Sequence, residues 1–136
     1  MKKDAKPLLS ICIPTYNRDE CLNNCIYSIV SQKMFNSSDV ELVISDNASD
    51  DNTYEIVKKY QEQYKNIIYT RNSENIGDRN FPAALGNSHG IFRKLCNDTL
   101  IFRDGALEYL LNIVKENIKQ RPVIFFLNHL NIKKRF

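Results

Sequence analysis

The chain has 136 residues, 43% of them hydrophobic, enough to bury one core and short for two domains. Its 19 basic and 16 acidic side chains leave a net charge of +3, a surplus too small to mark a nucleic-acid or membrane surface by its field alone. No apolar run reaches the ~20 residues that span a bilayer, and the polar start from Met1 to Pro7 is not followed by the apolar stretch of a signal peptide, so a cytoplasmic location is expected.

Leu8 to Ile13 is a short apolar run ended by Pro14, the pattern of a buried strand entering a loop. Asp19 and Glu20 then open a helix whose apolar face carries Cys21, Leu22, Cys25, Ile26, Ile29 and Val30, with the acids at the positive end of its dipole. The unit repeats: Val40 to Ser45 predicts a strand, Asp46 to Asp51 a polar turn in which Ser49 or Asp50 caps the next helix, and Ile56, Val57, Tyr60 and Tyr64 that helix's stripe. Asn66 to Thr70 predicts a third strand. A helix is predicted over Phe81 to Ser88, with Pro82 in its first turn, where a missing N–H costs nothing. Ile91 to Cys96 follows as a strand interrupted by Arg93 and Lys94, then a helix capped by Asp104 with Ala106, Leu107, Leu110, Leu111, Val114 and Ile118 inside, then a fifth strand at Val123 to Leu127. Tyr54, Tyr60, Tyr64 and Tyr69 read as half-buried packing residues and the Lys58–Lys59 pair as a solvated face.

Four cysteines are present, and all sit in apolar strand or helix patterns, so they read as small core residues. There is no Cys-x-x-Cys pair, and neither His89 nor His129 stands at zinc-ligand spacing from a cysteine.

Strands alternating with amphipathic helices predict a three-layer α/β fold with a mostly parallel sheet and helices on both faces. Ligands then belong at the carboxyl ends of the strands. That rule points to four loops: Pro14 to Arg18, Asp46 to Asp51, Asn75 to Asn80, and Asn97 to Thr99. Neither the Gly-x-Gly-x-x-Gly dinucleotide string nor the Gly-x-x-x-x-Gly-Lys-Ser/Thr phosphate loop occurs. Pro14-Thr-Tyr-Asn-Arg18 instead offers a ring for stacking, a hydroxyl and an amide for hydrogen bonds, and a cation for phosphate. Asp46 could accept hydrogen bonds from a base edge or a ribose, or serve only as a turn residue. Asp98, at the end of an apolar strand, is placed to give a hard cation an oxygen ligand.

These strings together resemble family 2 of the inverting, GT-A-type glycosyltransferases. Ser10-Ile-Cys-Ile-Pro-Thr-Tyr-Asn-Arg18 is similar to the family's opening strand and loop, and Glu41-Leu-Val-Ile-Ser-Asp-Asn-Ala-Ser-Asp-Asp51 to its second strand and acidic turn. Asn75-Ile-Gly77 with Asn80 resembles its Asn-x-Gly loop, and Gly90 to Thr99 falls where the family has a strand and the metal-binding Asp-x-Asp. The resemblance covers Leu8 to about Leu111. It implies a Rossmann-like GT-A fold and a nucleotide-diphospho-sugar donor, with uridine the favoured base. Thr15, Tyr16 and Asp46 would hold the nucleoside, Asp46 at the base. Arg79 and Asn80 would lie near the diphosphate or the base, and Pro14, Asn17, Arg18, Asn75 and Gly77 would complete the nucleotide-binding loops. Asp98 would bind a divalent cation, Mg²⁺ or Mn²⁺, helped by Asn97.

The chain departs from that pattern in two ways. Asn97-Asp98-Thr99 has one carboxylate where the family has at least two, which predicts weaker metal binding. Residues 1–136 would form a nucleotide-diphospho-sugar-binding domain incomplete at its C-terminus, without the acceptor side and without a residue for the general base. The function expected is transfer of a sugar from such a donor to a glycan, lipid-linked or polysaccharide precursor, with peripheral attachment to the inner face of the membrane open to a lipid-linked acceptor. The alternative is a catalytically silent nucleotide-sugar-binding or protein-interaction module. A receiver- or flavodoxin-like domain is disfavoured by the lack of an acidic pair after the first strand. Exposure of the apolar Val123 to Leu127 run would favour a homo-oligomer.

Overall fold

The two strands richest in apolar residues take the centre of the sheet. In β1 (Leu9–Thr15) all but one residue is buried, and β2 (Val40–Asp46) is buried throughout, as suits strands covered on both faces. In the computed structural model, which describes residues 5–120, they are joined by β3 (Ile67–Arg71) and β4 (Phe92–Leu95) in an all-parallel sheet of order β3-β2-β1-β4. The crossovers carry α1 (Asp19–Val30), α2 (Thr53–Gln63) and α3 (Asn80–Gly86), and α4 (Ala106–Asn117) follows β4. Short 3₁₀ turns occupy Lys33–Asn36, Gly77–Arg79 and Ile118–Gln120.

Alternation along the strands divides the core. Leu9, Ile11 and Ile13 of β1 and Val40, Leu42 and Ile44 of β2 pack with Leu22, Cys25, Ile26 and Ile29 of α1, Val57 of α2, and Leu107 and Leu111 of α4. Cys12 and Val43 point the other way and meet Ala84 and Leu85 of α3. The sheet thus lies between two helical layers. Each fully buried Leu or Ile side chain on α1 contributes roughly 1.5–3 kcal/mol to holding that helix down. No helix among the described residues is long and apolar enough to cross a membrane.

Several local expectations are corrected by the structure. Cys21 is exposed rather than in the core, because it lies toward the solvent edge of α1 while Cys25 points inward. Neither Ser49 nor Asp50 caps α2. The N-cap position is Asn52, without a side-chain capping bond, and Asp51 just before it accepts hydrogen bonds from the Thr53 N–H at 3.0 Å and the Thr53 hydroxyl at 2.6 Å. Asp104 makes no capping bond to α4, whose entry is set by Gly105 at φ +82°, a left-handed conformation that glycine tolerates. Tyr54 is exposed rather than half-buried, with its ring tilted against Tyr69 and Lys58 above it. β4 takes only Phe92–Leu95 of the predicted Ile91 to Cys96, with Arg93 and Leu95 exposed, and is an edge strand among the described residues. The expected fifth strand, Val123 to Leu127, lies outside the described residues.

At the amino end of the sheet, strand register places Ser10 opposite Glu41. The Ser10 hydroxyl donates to Glu41 Oε1 at 2.6 Å and accepts the Gly90 N–H at 2.8 Å, and Glu41 also accepts the His89 N–H. The His89 ring, with Nδ1 3.3 Å from Glu41 Oε2, gains a partner that no sequence pattern indicated. Gly90 is required here: a Cβ would stand 2.7 Å from the Ser10 backbone nitrogen and 2.9 Å from the Phe92 carbonyl oxygen.

Candidate functional site

At the opposite edge, β1 and β2 end side by side, with Thr15 in register with Asp46. The loops that follow each turn through a left-handed residue, Asn17 at φ +48° and Ala48 at φ +63°. They then clasp each other. The Asn17 N–H donates to Ser49 Oγ at 2.9 Å and the Asp50 N–H to Asn17 Oδ1 at 2.8 Å. The Asp19 N–H donates to Asp51 at 3.1 Å and the Asn52 N–H to Asp19 at 3.2 Å. Burial works against ionisation of Asp51, but its hydrogen bonds from Thr53 and from the Asp19 N–H hold its carboxyl below the usual carboxylate range.

Above the clasp an open cavity of about 200 Å³ faces solvent. Of the residues singled out from the sequence, Pro14, Thr15, Tyr16, Arg18, Gly77, Asn80, Asn97 and Asp98 line it. Asn47 and Phe81 line it as well, and sequence reasoning passed over both. Asn47 stood inside a loop already marked as ligand-facing, next to Asp46. Phe81 was assigned only to the start of a helix.

Asp98 is nearly buried, and both its oxygens are engaged. Thr15 Oγ1 donates to Oδ2 at 2.9 Å, and Arg18 Nη1 stands 3.3 Å from Oδ1. Its neighbour Asn97 is tied to α1 through its carbonyl, toward which the Cys25 thiol points at 3.7 Å. Hydrogen bonding with Cys96 and burial push the Cys25 thiol up, and burial raises Cys12 to about 11, so these two thiols stay protonated at neutral pH.

Asp46 does not line the cavity. Its carboxylate is fully buried and accepts the Ser49 N–H at 2.9 Å, the Tyr69 hydroxyl at 2.6 Å and Arg71 Nη1 at 3.0 Å. Burial, followed by the bond to Asp46, pushes the Tyr69 phenol up, so it stays a donor. Asn75 and Arg79 are also outside the lining. Asn75 Oδ1 accepts from Asn47 Nδ2 at 2.7 Å and from the Gly77 N–H at 2.8 Å, and Arg79 turns its Nε to the Ile76 carbonyl at 3.3 Å. Asn17 belongs to the clasp beneath the cavity.

Behind the lining runs a network of amides. Asn72 Nδ2 bridges Asn47 Oδ1 and Asn80 Oδ1, each at 3.0 Å, and Asn80 is pinned to Ser45 through both its hydroxyl, at 2.7 Å, and its carbonyl, at 2.9 Å. Every bond in this network fixes a side chain that faces the cavity or supports one that does.

A parallel sheet between helical layers, with polar loops gathered around a cavity at its carboxyl edge, is the Rossmann-like GT-A architecture. The family model of Glycosyl transferase family 2 matches residues 10–126, and the chain belongs to that family. Among curated relatives it is 49% identical over 85 residues to the abequosyltransferase RfbV of Salmonella typhimurium, a match covering 61% of this chain and 25% of that protein. Among solved structures it resembles Staphylococcus aureus TarS 1-349 in complex with UDP, at TM-score 0.71 and 25% identity over 81% of this chain and 32% of that one. It shares its fold with the mannosyltransferase PcManGT of Pyrobaculum calidifontis, solved with GDP-Man and Mn²⁺, at TM-score 0.68 and 22% identity over 83% of this chain and 33% of that one. The chain therefore spans about a quarter to a third of the length of these proteins.

Proposed function

We propose that this chain is the donor-binding part of a glycosyltransferase that takes a sugar from a nucleotide-diphospho-sugar and passes it to a glycan, lipid-linked or polysaccharide precursor. The observation that carries the reading is the cavity at the carboxyl edge, where Thr15, Tyr16, Asn47 and Asn80 present a ring, a hydroxyl and amides beside the Arg18–Asp98 pair. In this reading Tyr16, exposed at the rim, stacks on the base, and Asn47 and Asn80 hydrogen-bond the nucleoside, held in place by their amide network. Arg18 takes the phosphates. Asp46 acts through its neighbours: it fixes Ser49 and Arg71 and so shapes the second loop, a positioning role in place of the base contact that the family resemblance implies. Arg79, Asn75 and Asn17 are assigned supporting roles on the same grounds.

The residues present fit a divalent cation of the kind that keeps several waters and shares one or two carboxylates with substrate phosphates. Among the described residues no three of His, Cys, Asp and Glu gather around one point, so a protein-only cage does not suit this site. Asp98 faces the cavity with Asn97 beside it, and these two would hold the ion against the diphosphate. Bound there, Mg²⁺ or Mn²⁺ would neutralise charge growing on the departing nucleoside diphosphate. We assign no general base to the described residues. The domain reading, a GT-A donor domain over residues 1–136 that works with an acceptor-side region, rests on the fraction of its relatives' length that the chain spans.

A second reading, binding of the nucleotide sugar without turnover, is favoured by one observation: the lone carboxylate of the metal motif has both oxygens already engaged. Calorimetric titration of the chain with UDP and GDP, with and without Mn²⁺, tests the donor site. Metal-dependent binding that Asp98→Ala abolishes is expected, and no binding of either nucleotide would contradict the donor-site reading. Release of sugar from a bound donor separates the two readings.

A further inference from the structure

We propose that Arg18 is a resident counter-ion for Asp98 that a divalent cation and a diphosphate displace together, so that metal and nucleotide bind this site with positive coupling; this rests on the donor-site reading above. The two oxygens of Asp98 are held in different ways. Oδ2 receives the hydroxyl of buried Thr15, fixed by its place at the end of β1, whereas Oδ1 faces the guanidinium of Arg18, whose side chain is 59% exposed. The Arg18 backbone is tied down, since its carbonyl accepts the Leu22 N–H at 2.9 Å as α1 begins. The side chain is long and free to leave while its anchor stays.

A cation coordinated by Asp98 would lie ~2.0–2.6 Å from a carboxylate oxygen, and Arg18 Nη1 now stands 3.3 Å from Oδ1. The two positive groups cannot share that oxygen without strong repulsion in a site where Asp98 is almost dry. Thr99 follows Asp98, so no neighbouring carboxylate in the motif relieves the competition. Metal alone therefore has to evict Arg18 into solvent. A diphosphate changes the balance, because its oxygens give the planar guanidinium a better-matched, two-pronged partner a short reach away and add ligands for the metal. Each ligand removes part of the other's cost, and linkage makes the effect reciprocal.

The test is Mn²⁺ binding followed by electron paramagnetic resonance, on the chain and on Arg18→Gln and Arg18→Lys, with and without UDP or GDP. The expected result is that Arg18→Gln binds Mn²⁺ alone about tenfold more tightly than the parent and loses the nucleotide's enhancement of metal binding, while Arg18→Lys keeps it. If calorimetry shows nucleotide binding and Arg18→Gln leaves Mn²⁺ affinity unchanged or weaker, the counter-ion role is overturned and the donor site stands. If neither nucleotide binds any variant, the donor-site reading fails and the coupling fails with it.

Discussion

Two buried carboxylates at opposite edges of the same sheet begin alike and end differently. Glu41, at the amino edge, and Asp98, at the carboxyl edge, each accept a hydrogen bond from a β1 hydroxyl, Ser10 at 2.6 Å and Thr15 at 2.9 Å. Around Glu41 the other donors include the backbone N–H of His89, and Gly90 closes against Ser10 with no room for a methyl group. Around Asp98 the other donor is an exposed arginine, and the space beyond it is an open cavity. Burial and a hydroxyl partner are thus common to a structural lock and to a candidate ligand site. Each also has an exposed side-chain partner, the His89 ring on Glu41 and Arg18 on Asp98; what separates them is the backbone N–H that Glu41 also holds and the open cavity that Asp98 faces.

The comparison predicts where each substitution is felt. Glu41→Ala should have the largest effect, a loss of ~3 kcal/mol in urea unfolding, because it strands the buried Ser10 hydroxyl and the His89 N–H. Nucleotide affinity of the fraction that folds should be unchanged; a selective loss of affinity with full stability would break the contrast. Gly90→Ala should cost ~1–3 kcal/mol through forced backbone shifts at the same lock, read as a lowered unfolding midpoint. Asp98→Ala should cost less than Glu41→Ala, ~1–2 kcal/mol, because Arg18 can turn to water and only the buried Thr15 hydroxyl loses its partner, while it removes metal-dependent nucleotide binding. A stability loss as large as that of Glu41→Ala would make Asp98 a structural residue.

The smallest effect concerns pH. The folded-state carboxyl of Asp51 is held below its ordinary value, so its contribution is present above the unfolded value of about 4 and is lost as pH falls through the lower folded value. For a group this open to solvent screening, with Asp51 only partly buried, the contribution amounts to less than ~1 kcal/mol. Unfolding midpoints between about pH 5 and pH 3 should therefore fall slightly more steeply for the parent than for Asp51→Asn.

Much of the fold was legible because the strand and helix periods are clean. Apolar runs at β1 and β2 and the stripe on α1 depend only on local spacing, and the rule that ligands sit at carboxyl ends followed from the alternation of elements. The loops and most of the side chains that line the cavity were legible, but not that Asp46, Asn75 and Arg79 turn away from it while Asn47 and Phe81 face it. Asp46 looked open for contact because its partners Tyr69 and Arg71 come from β3, 23 and 25 residues away, and only strand register brings them over it. Asn47 was hidden for the opposite reason: it lay beside a more conspicuous acid. A usable signal existed in the asparagines at 47, 72 and 75, in loops after strands, and at 80, which opens α3; the four interlock into one network. The Ser10–Glu41–His89 lock gave no signal, because nothing local to a strand says that its buried acid will meet a loop 48 residues on.

The central claim, that the carboxyl edge binds a nucleotide and the amino edge only holds the sheet together, is tested most directly by amide NMR during titration with UDP and Mn²⁺. Shifts concentrated at Thr15, Tyr16, Asn47, Gly77 and Asn97, with Ser10, Glu41, His89 and Gly90 unmoved, are the predicted result. Shifts centred on the amino edge, or none at saturating UDP and GDP, would contradict it.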